Sequence, residues 1–426
     1  MVLKRILLFI VAFITILIAL VYVSVSNSKK TFATCKILDI DDIEGIDFSK
    51  HDSVLVAANV LYKGNTIKNM VQGEQYRKVW STPIKVPIAF LDTLRGGVKV
   101  VEEGGGQQTH SLEVKAENGI VYTLRSVSKN PEPLIPEFAK TLGLENIIVD
   151  GISAQHPYAA LVVAELAENI GLLSTKPKLL FLPKQPDLGK YNQKFGNRLY
   201  LLEYETDGKA DWTALSNATQ VVDTEKLQEL KMQHRKNLSI DENLVVRARL
   251  FDLLIGDWDR HAKQWGWVIQ KKGPNLKAIP LPCDRDNAFF KIGGIVPTII
   301  SNKNILPDLQ NFEKDIDYLP GLVMDFDVYF LHKTDRSVFL HEAKYLQNTL
   351  TDKAIADAFK IWPEQIFELN GEEIIEKIKE RRKDLEKYAS KFKDVLDEKS
   401  LLTEPLKGSK DVKLSNGLLG CFECLQ

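Results

Sequence analysis

The first feature of the chain is an apolar block. Residues 6–25 run without a charge and are rich in Ile, Leu, Val and Phe; Lys4 and Arg5 precede them, Lys29 and Lys30 follow. About 20 apolar residues cross a hydrocarbon core of about 30 Å as a helix. A secretory apolar core is shorter, about 7–15 residues, and leads to a small-residue cleavage site. No A-x-A site follows this run. An uncleaved signal anchor is therefore expected over residues 1–28, with the membrane engaged through 6–25. The folded part is expected on the export (periplasmic or extracytoplasmic) side. Basic flanks on both sides make the orientation signal weak. Cys35 lies ten residues past the run, after Thr34, and is a poor lipoprotein site.

Beyond a polar stalk at 26–36, the period is that of strands. Residues 54–58, 85–91 and 98–101 read as strands; 111–115 and 120–127 flank the turn Glu117-Asn118-Gly119. Asn-Gly between alternating segments is a strong hairpin signal. A helix is expected at 158–170, ending at Gly171, followed by strands at 179–182 and 199–204,.

After about residue 206 the pattern becomes mostly helical. Ser239-Ile240-Asp241-Glu242 has the form of a capping box and opens a helix with Leu244, Ala248, Phe251 and Leu254 or Ile255 on one face,. Short strands at 268–269 and 278–281 interrupt it. Further helices are expected at 314–330, 351–362 and 372–396. The last carries Ile374, Ile378, Leu385, Tyr388, Phe392 and Val395 as a core-packing stripe. The divisions are a stalk with membrane-proximal strands (29–100), a strand-rich lobe (101–205), a helical lobe (206–400) and a flexible tail (401–426).

Composition adds little. Lys plus Arg number 56 against 57 Asp plus Glu, a formal net charge of -1, so nucleic acid is not expected as a partner. Four cysteines make no disulfide framework. Cys421 and Cys424, one C-x-x-C in the last six residues, cannot complete a zinc site,; they read as a disordered tail with an incidental disulfide.

Candidate chemistry lies in three places. Gly104, Gly105 and Gly106, with Gln107 and Thr109, could bring backbone N–H groups close to phosphates because glycine has no Cβ; a plain turn between strands is the alternative. Arg125, with Lys129 and then Lys115 behind it, is a candidate phosphate cation, against a solvated surface charge. Acids cluster later. Asp257, Asp259 and Arg260 follow an apolar helix in Gly256-Asp257-Trp258-Asp259-Arg260-His261, where a carboxylate can orient a hydroxyl and take its proton. Asp284 and Asp286, flanked by apolar residues, would repel unless a cation lies between them. The bland readings are a surface Asp–Arg turn and neutralisation by Arg285 or Arg260.

The pair Gly256 to His261 and Pro282-Cys283-Asp284-Arg285-Asp286-Asn287-Ala288-Phe289 resembles the paired motifs of atypical kinases. Those are the HipA-type, phosphatidylinositol 4-kinase type II, secretory-pathway Golgi and CotH spore-coat kinases. It looks most similar to a set of bacterial envelope proteins sharing G-G-G-x-Q-T, Y-x-x-R-S-x-x-K, S-A-x-H-P-Y-A-A, L-I-G-D-W-D-R-H and P-x-x-D-R-D-x-A-F. The likeness spans about residues 55 to 395.

It implies an α+β, bilobal kinase-like fold, with a strand-rich N-lobe and a helix-rich C-lobe after one transmembrane helix. It implies an ATP- and Mg²⁺- (or Mn²⁺-) dependent phosphotransferase with an unknown protein, lipid or glycan acceptor. Asp259 would be the catalytic Asp, beside Arg260 and His261. Asp286 would be the main metal ligand, assisted by Asp284 and Gln264. Arg125 would replace the usual Lys, and Glu203 and Tyr204 would form an adenine-contacting hinge. The partner acid would be Glu137, Glu145, Asp150 or Glu165. An inactive nucleotide-binding module and a metal-dependent hydrolase remain as alternatives.

Overall fold

The structure is a computed structural model that describes residues 2–26, 36–37, 43–104, 109–130, 135, 137–141, 143–206, 208, 210–409 and 412–424. Helix α1 (Val2–Ser24) has 23 residues, almost all exposed. By length and composition it can cross a membrane, a test that a signal sequence also passes,. Its end leaves solvent, since Ser24 and Val25 are buried. Gln72 Nε2 donates to Ser24 Oγ at 3.0 Å. Gln72 closes α2 (Thr66–Gln72), whose Asn65 cap accepts from the Lys68 N–H.

Strands β1 (Lys36–Ile37), β2 (Ser53–Ala57) and β3 (Pro83–Pro87) form an antiparallel sheet. Past Pro87 the expected strand gives way to a single bridge between Ile88 and Phe181. A second, five-stranded antiparallel sheet has the order β4-β5-β6-β8-β7. Its members are β4 (Val98–Gly104), β5 (Ser111–Ala116), β6 (Val121–Ser126), β7 (Lys178–Leu182) and β8 (Arg198–Tyr204). The β5–β6 turn uses Gly119 at φ 85°, which suits a residue without Cβ, while the Asn118 side chain accepts from the Ile120 N–H,. Between β6 and β7 lies α3 (Ala159–Asn169), ending as expected before Gly171.

The second half is less purely helical than its pattern suggests. A four-stranded sheet, ordered β10-β12-β11-β9, joins β9 (Ala218–Asp223), β10 (Leu238–Ile240), β11 (Trp265–Lys272) and β12 (Asn275–Pro282). The first six residues of β11 are all buried. A strand buried on both faces shows no alternation, so only a fragment was visible in the sequence. Helix α4 (Glu242–Ile255) is capped by Asp241, which accepts from the Leu244 N–H; Ser239, the expected cap, sits in β10.

Helices α5 (Ile295–Ile300), α6 (Asp325–Leu331), α7 (Arg336–Thr349), α8 (Glu364–Lys383) and α9 (Leu385–Glu398) follow. The expected helix at 314–330 is realised only as α6, and the one at 372–396 breaks at Asp384. The 401–426 segment is not a free tail. Leu418 and Phe422 are fully buried, Lys231 bonds Glu423 at 3.0 Å, and Cys421 and Cys424 form a disulfide. Apolar side chains at 406, 412, 418 and 422 give the segment a core to bury against,.

One hydrophobic core runs through both halves, from Val56 and Trp80 through Tyr158 to Trp265, Phe326 and Phe392. His156 lies in it, stacked on Trp362 with ring centroids 4.3 Å apart and edge-on to Tyr76. Burial pushes its imidazole down to about 3 from an ordinary 6.5. The folded chain therefore holds a neutral His156 where the unfolded chain takes up a proton. Stability is complete above the unfolded value and is lost as pH falls below it, by at most about 1.4 kcal/mol per pH unit from this residue. Chemical denaturation at pH 7, 6 and 5 should show that slope, and His156→Gln should flatten it.

Candidate active site at the junction of the two halves

The site is built outward from α4. Its residue Asp252 is fully buried and faces three guanidinium groups. Arg249 donates to Asp252 at 3.1 Å, Arg260 Nε at 3.1 Å and Arg285 Nε at 2.9 Å. Burial opposes its charge, yet Arg260, Arg285 and Arg249 hold its carboxyl below the usual range. One carboxylate thus ties the helix to both acidic segments.

Helix α4 stops at Gly256, which is left-handed at φ 70°. A Cβ there would lie 2.5 Å from the Phe312 ring, so no other residue fits without displacement. The chain then turns through Asp257, Asp259, Arg260 and His261. The Asp257 N–H donates to the Asp252 carbonyl at 3.0 Å, and the Asp259 N–H to Asp257 Oδ1 at 3.3 Å. His261 accepts from the Lys263 N–H and stands 3.7 Å from the Asp259 carboxylate. Burial holds its imidazole below the ordinary value, against the pull of Asp259.

The β11–β12 hairpin returns the second acidic segment to the first. Trp265 pairs with Pro282, and the Cys283 N–H donates to the Gln264 carbonyl at 3.0 Å. Arg260 reinforces the junction by donating to the Cys283 carbonyl at 2.8 Å and the Gln264 carbonyl at 3.2 Å. Asp284 is left-handed at φ 54°, an uncommon state for a residue with Cβ,. Asn287 accepts from Gln155 at 2.6 Å, and the Phe289 N–H donates to the Ile255 carbonyl at 2.9 Å.

Both acids meet cations from the strand-rich half. Arg125 on β6 is hydrogen-bonded to Asp284 and lies 3.3 Å from Glu203 on β8. Their register makes Arg125 and Glu203 diagonal neighbours, since Thr123 pairs with Glu203,. Lys129 Nζ stands 2.5 Å from Asp286. The acids separate electrostatically. Burial opposes charge on Asp284, but Arg125 and Lys129 hold its carboxyl below the usual range. Burial and then Asp284 raise Asp286, more than Lys129 offsets. Burial also raises Glu203 despite Arg125. Beside them Asp257 is raised by burial and by Asp252, Asp286 and Asp259 against Arg260. Asp257 therefore lies within electrostatic reach of both Asp259 and Asp286, as His261 does of Asp259 and Asp284.

A small opening of about 20 Å³ adjoins this cluster, lined by Ala160, Val163 and Ala164 of α3 and by Glu203, Asp284 and Arg285. Gly104 ends β4, opposite Ser111; Thr109 precedes β5. Gly105, Gly106 and Gln107 lie outside the described residues.

Several expectations shift. Arg260 is fully buried and its donors are taken by Asp252 and two carbonyls, so it positions the loop rather than facing a reactant. The hinge is likewise committed: the Tyr204 N–H donates to the Thr175 carbonyl at 2.9 Å, and its ring stacks on Trp212. Glu203 turns its carboxylate to Arg125. Of the four proposed partner acids, Glu137 pairs with Lys140 and Asp150 with Lys68 and Arg77; Glu165 is exposed. Within the strand-rich half, the acid beside Arg125 is Glu203, while Asp284 meets it from the other half. Asp252 was missed, although an Asp amid the apolar run from Val245 to Ile255 is the sign of a buried charge seeking partners.

No group of three or more His, Cys, Asp or Glu among the described residues is arranged to hold a metal. The donors instead suit a hard cation shared with phosphate oxygens. Asp284 and Asp286 offer carboxylates, and the buried Asp257 Oδ2 has no hydrogen-bond partner. Magnesium usually takes one or two carboxylates and leaves the remaining positions to substrate oxygens and water.

No family model matches the chain, and no curated protein sequence matches it. Among solved structures it is similar to the proinflammatory kinase CtkA of Helicobacter pylori, at 13% identity and a TM-score of 0.37, over 70% of this chain and 96% of that one. It is also similar to the Shewanella oneidensis MR-1 toxin–antitoxin complex of HipA, HipB and operator DNA. There the identity is 10% and the TM-score 0.30, over 74% of this chain and 68% of that one. With both TM-scores below 0.5, the geometry of the site alone carries the functional reading.

Asp252→Asn removes the shared anion while leaving three buried guanidinium groups in place. Breaking a buried ion cluster from one side costs about 3–5 kcal/mol. Thermal denaturation should show a large fall in Tm, while Asp352→Asn, at an exposed pair with Arg382, should leave Tm nearly unchanged.

Proposed function

We propose that this chain is a membrane-anchored, kinase-like phosphotransferase that moves the terminal phosphoryl group of ATP to a hydroxyl on an envelope protein, lipid or glycan. The supporting observation is the double ion pair from one half to the other, Arg125 with Asp284 and Lys129 with Asp286. Phosphoryl transfer asks a protein mainly for positioning and charge stabilisation, and those are the resources gathered here. The α1 helix supports the membrane attachment.

In this reading Asp259, partly exposed beside His261, orients the acceptor hydroxyl and takes its proton as the new O–P bond forms and ADP departs,. Arg125 and Lys129 bind phosphate oxygens. Asp286 and Asp284 hold Mg²⁺ or Mn²⁺, with Gln264 buried nearby. A bound divalent ion supplies charge neutralisation at the transferring group. Because both cations reach the acids directly, phosphate and metal compete for partners that already satisfy one another. The raised Asp286 gains most from a divalent cation, since its own burial and Asp284 oppose its charge.

A second reading, a nucleotide-binding module without transfer, is favoured by that same mutual satisfaction and by Arg125 finding its acid on β8. The full chain in detergent, given labelled ATP with Mg²⁺ or Mn²⁺, separates the two. Transfer should appear in the parent and drop on the order of 10²–10⁴-fold in Asp259→Asn, with a comparable loss in Asp286→Ala. Nucleotide binding without turnover, unaltered by Asp259→Asn, assigns the binding module. Phosphate release from simple esters without ATP assigns a hydrolase. Equal labelling by all three proteins removes the site assignment.

A further inference from the structure

Near the end of α1, the folded part carries exposed apolar residues on two short helices and the turn that follows them. Ile67 and Met70 of α2 are exposed, Met70 by 52%. They stand three residues apart, on one helix face. Ile295, Ile299 and Ile300 of α5 are exposed as well, Ile299 by 57%, and Ile305 and Leu306 extend the surface. These residues belong to one body. Helix α2 packs on both α1 and α5. The α2–α5 contact is glycine on glycine: a Cβ on Gly294 would lie 2.1 Å from the Gly73 nitrogen, and one on Gly73 would lie 2.4 Å from the Gly293 carbonyl oxygen. Such an approach locks the 293–306 segment to the end of α2.

The height of the patch is fixed by the anchor. Gln72, the last residue of α2, is bonded to Ser24, the last residue of α1. A seven-residue helix is only about 10 Å long, so Ile67 and Met70 stay within that distance of the point where the apolar helix ends. Four polar residues, Ser301, Asn302, Lys303 and Asn304, lie between Ile300 and Ile305 in the chain. Lys303 sits 5.8 Å from the Tyr318 ring centroid. An apolar face bordered by Lys, Asn and Tyr suits the boundary between headgroups and acyl chains.

We infer that the face formed by Ile67, Met70, Ile295, Ile299, Ile300 and Ile305 docks on the lipid bilayer itself, immersed beside the anchor at the headgroup–acyl boundary. This rests on the reading of α1 as a retained membrane span. Exposed apolar residues gathered on one body mark an interaction site, and the packing of α2 on both α1 and α5 selects lipid as the occupant. The folded part then lies against the membrane, held by a span and a surface contact together.

The test uses the full chain in vesicles of phosphatidylcholine and phosphatidylglycerol, with Cys35→Ser as background. Cys283 is buried and Cys421 and Cys424 are paired, so neither competes for label. A fluorophore is placed singly through Ile299→Cys, Met70→Cys, Val101→Cys on the edge strand β4, and Ile14→Cys within α1. Quenching is read with lipids carrying a nitroxide high on the acyl chain, matching immersion of about 5–10 Å. Positions 299 and 70 should be quenched several-fold more than 101 and approach position 14. If position 14 is quenched while 299 and 70 behave like 101, the anchor stands and the docking face is overturned. If position 14 is not quenched, the anchor reading fails and the docking face falls with it. Shielding of 299 and 70 from aqueous iodide without lipid quenching assigns the face to a protein and overturns it too.

Discussion

Everything at the cleft depends on a carboxylate that does no chemistry. Asp252 sits in the interior and accepts from Arg249, Arg260 and Arg285. Each guanidinium belongs to a different piece of chain: α4 itself, the loop carrying Asp257 and Asp259, and the segment carrying Asp284 and Asp286. A lone buried carboxylate would be protonated, and lone buried guanidinium groups would be costly. The charges are tolerable only together. Arg249 passes the tie on to Asp327 of α6 at 2.6 Å, and Arg285 lies 4.9 Å from the Phe251 ring centroid. The geometry of two sequence-distant acidic loops is thereby over-determined by charges that need each other.

On that frame Asp257, Asp284 and Asp286 differ by environment. Asp284 is held ionised by Arg125 and Lys129. Asp286, beside it, is raised, as is Asp257 beneath the loop. Separating the behaviour of neighbouring carboxylates by burial and partner is how a protein assigns them different work. The left-handed Asp284 follows from the same demand: the chain must leave β12 and turn at once to aim two acids, two residues apart, at Arg125 and Lys129.

Much of this was legible and some was not, for identifiable reasons. The alternation of β5 and β6 and the Asn118-Gly119 turn were plain because half-buried strands show both faces, while β8, buried through its five central residues, was legible only as a short apolar run. Strand β11 was reduced to a fragment because both of its faces are buried. Helix α7 was missed although Phe339, Glu342, Ala343 and Leu346 bury one face; a charged residue within the stripe disguised it. The break at Asp384 did not disturb the stripe through Ile378, Leu385, Tyr388 and Phe392, all buried, so periodicity alone could not reveal it. Acidic motifs were readable as a pair. Their partners were less so, because Lys129 and Glu203 become neighbours of the acids only through sheet register and lobe packing.

The residues between β6 and α3 explain why the halves act as one object. Asp150 is buried between Lys68 of α2, at 2.7 Å, and Arg77, at 2.5 Å. A few residues on, Ser153 bonds Gln75, Gln155 bonds Asn287, and His156 stacks on Trp362. Tyr76 completes the join by donating to the Phe289 carbonyl at 2.5 Å. A continuous series of buried polar contacts therefore runs from the end of α1, through α2 and Asp150, to the segment just after Asp286. Buried hydrogen bonds are expensive to leave unmade, so each link resists being pulled apart. The acids, the strand-rich half and α1 are held in one register, and the cleft keeps a defined position relative to the helix that can enter a membrane.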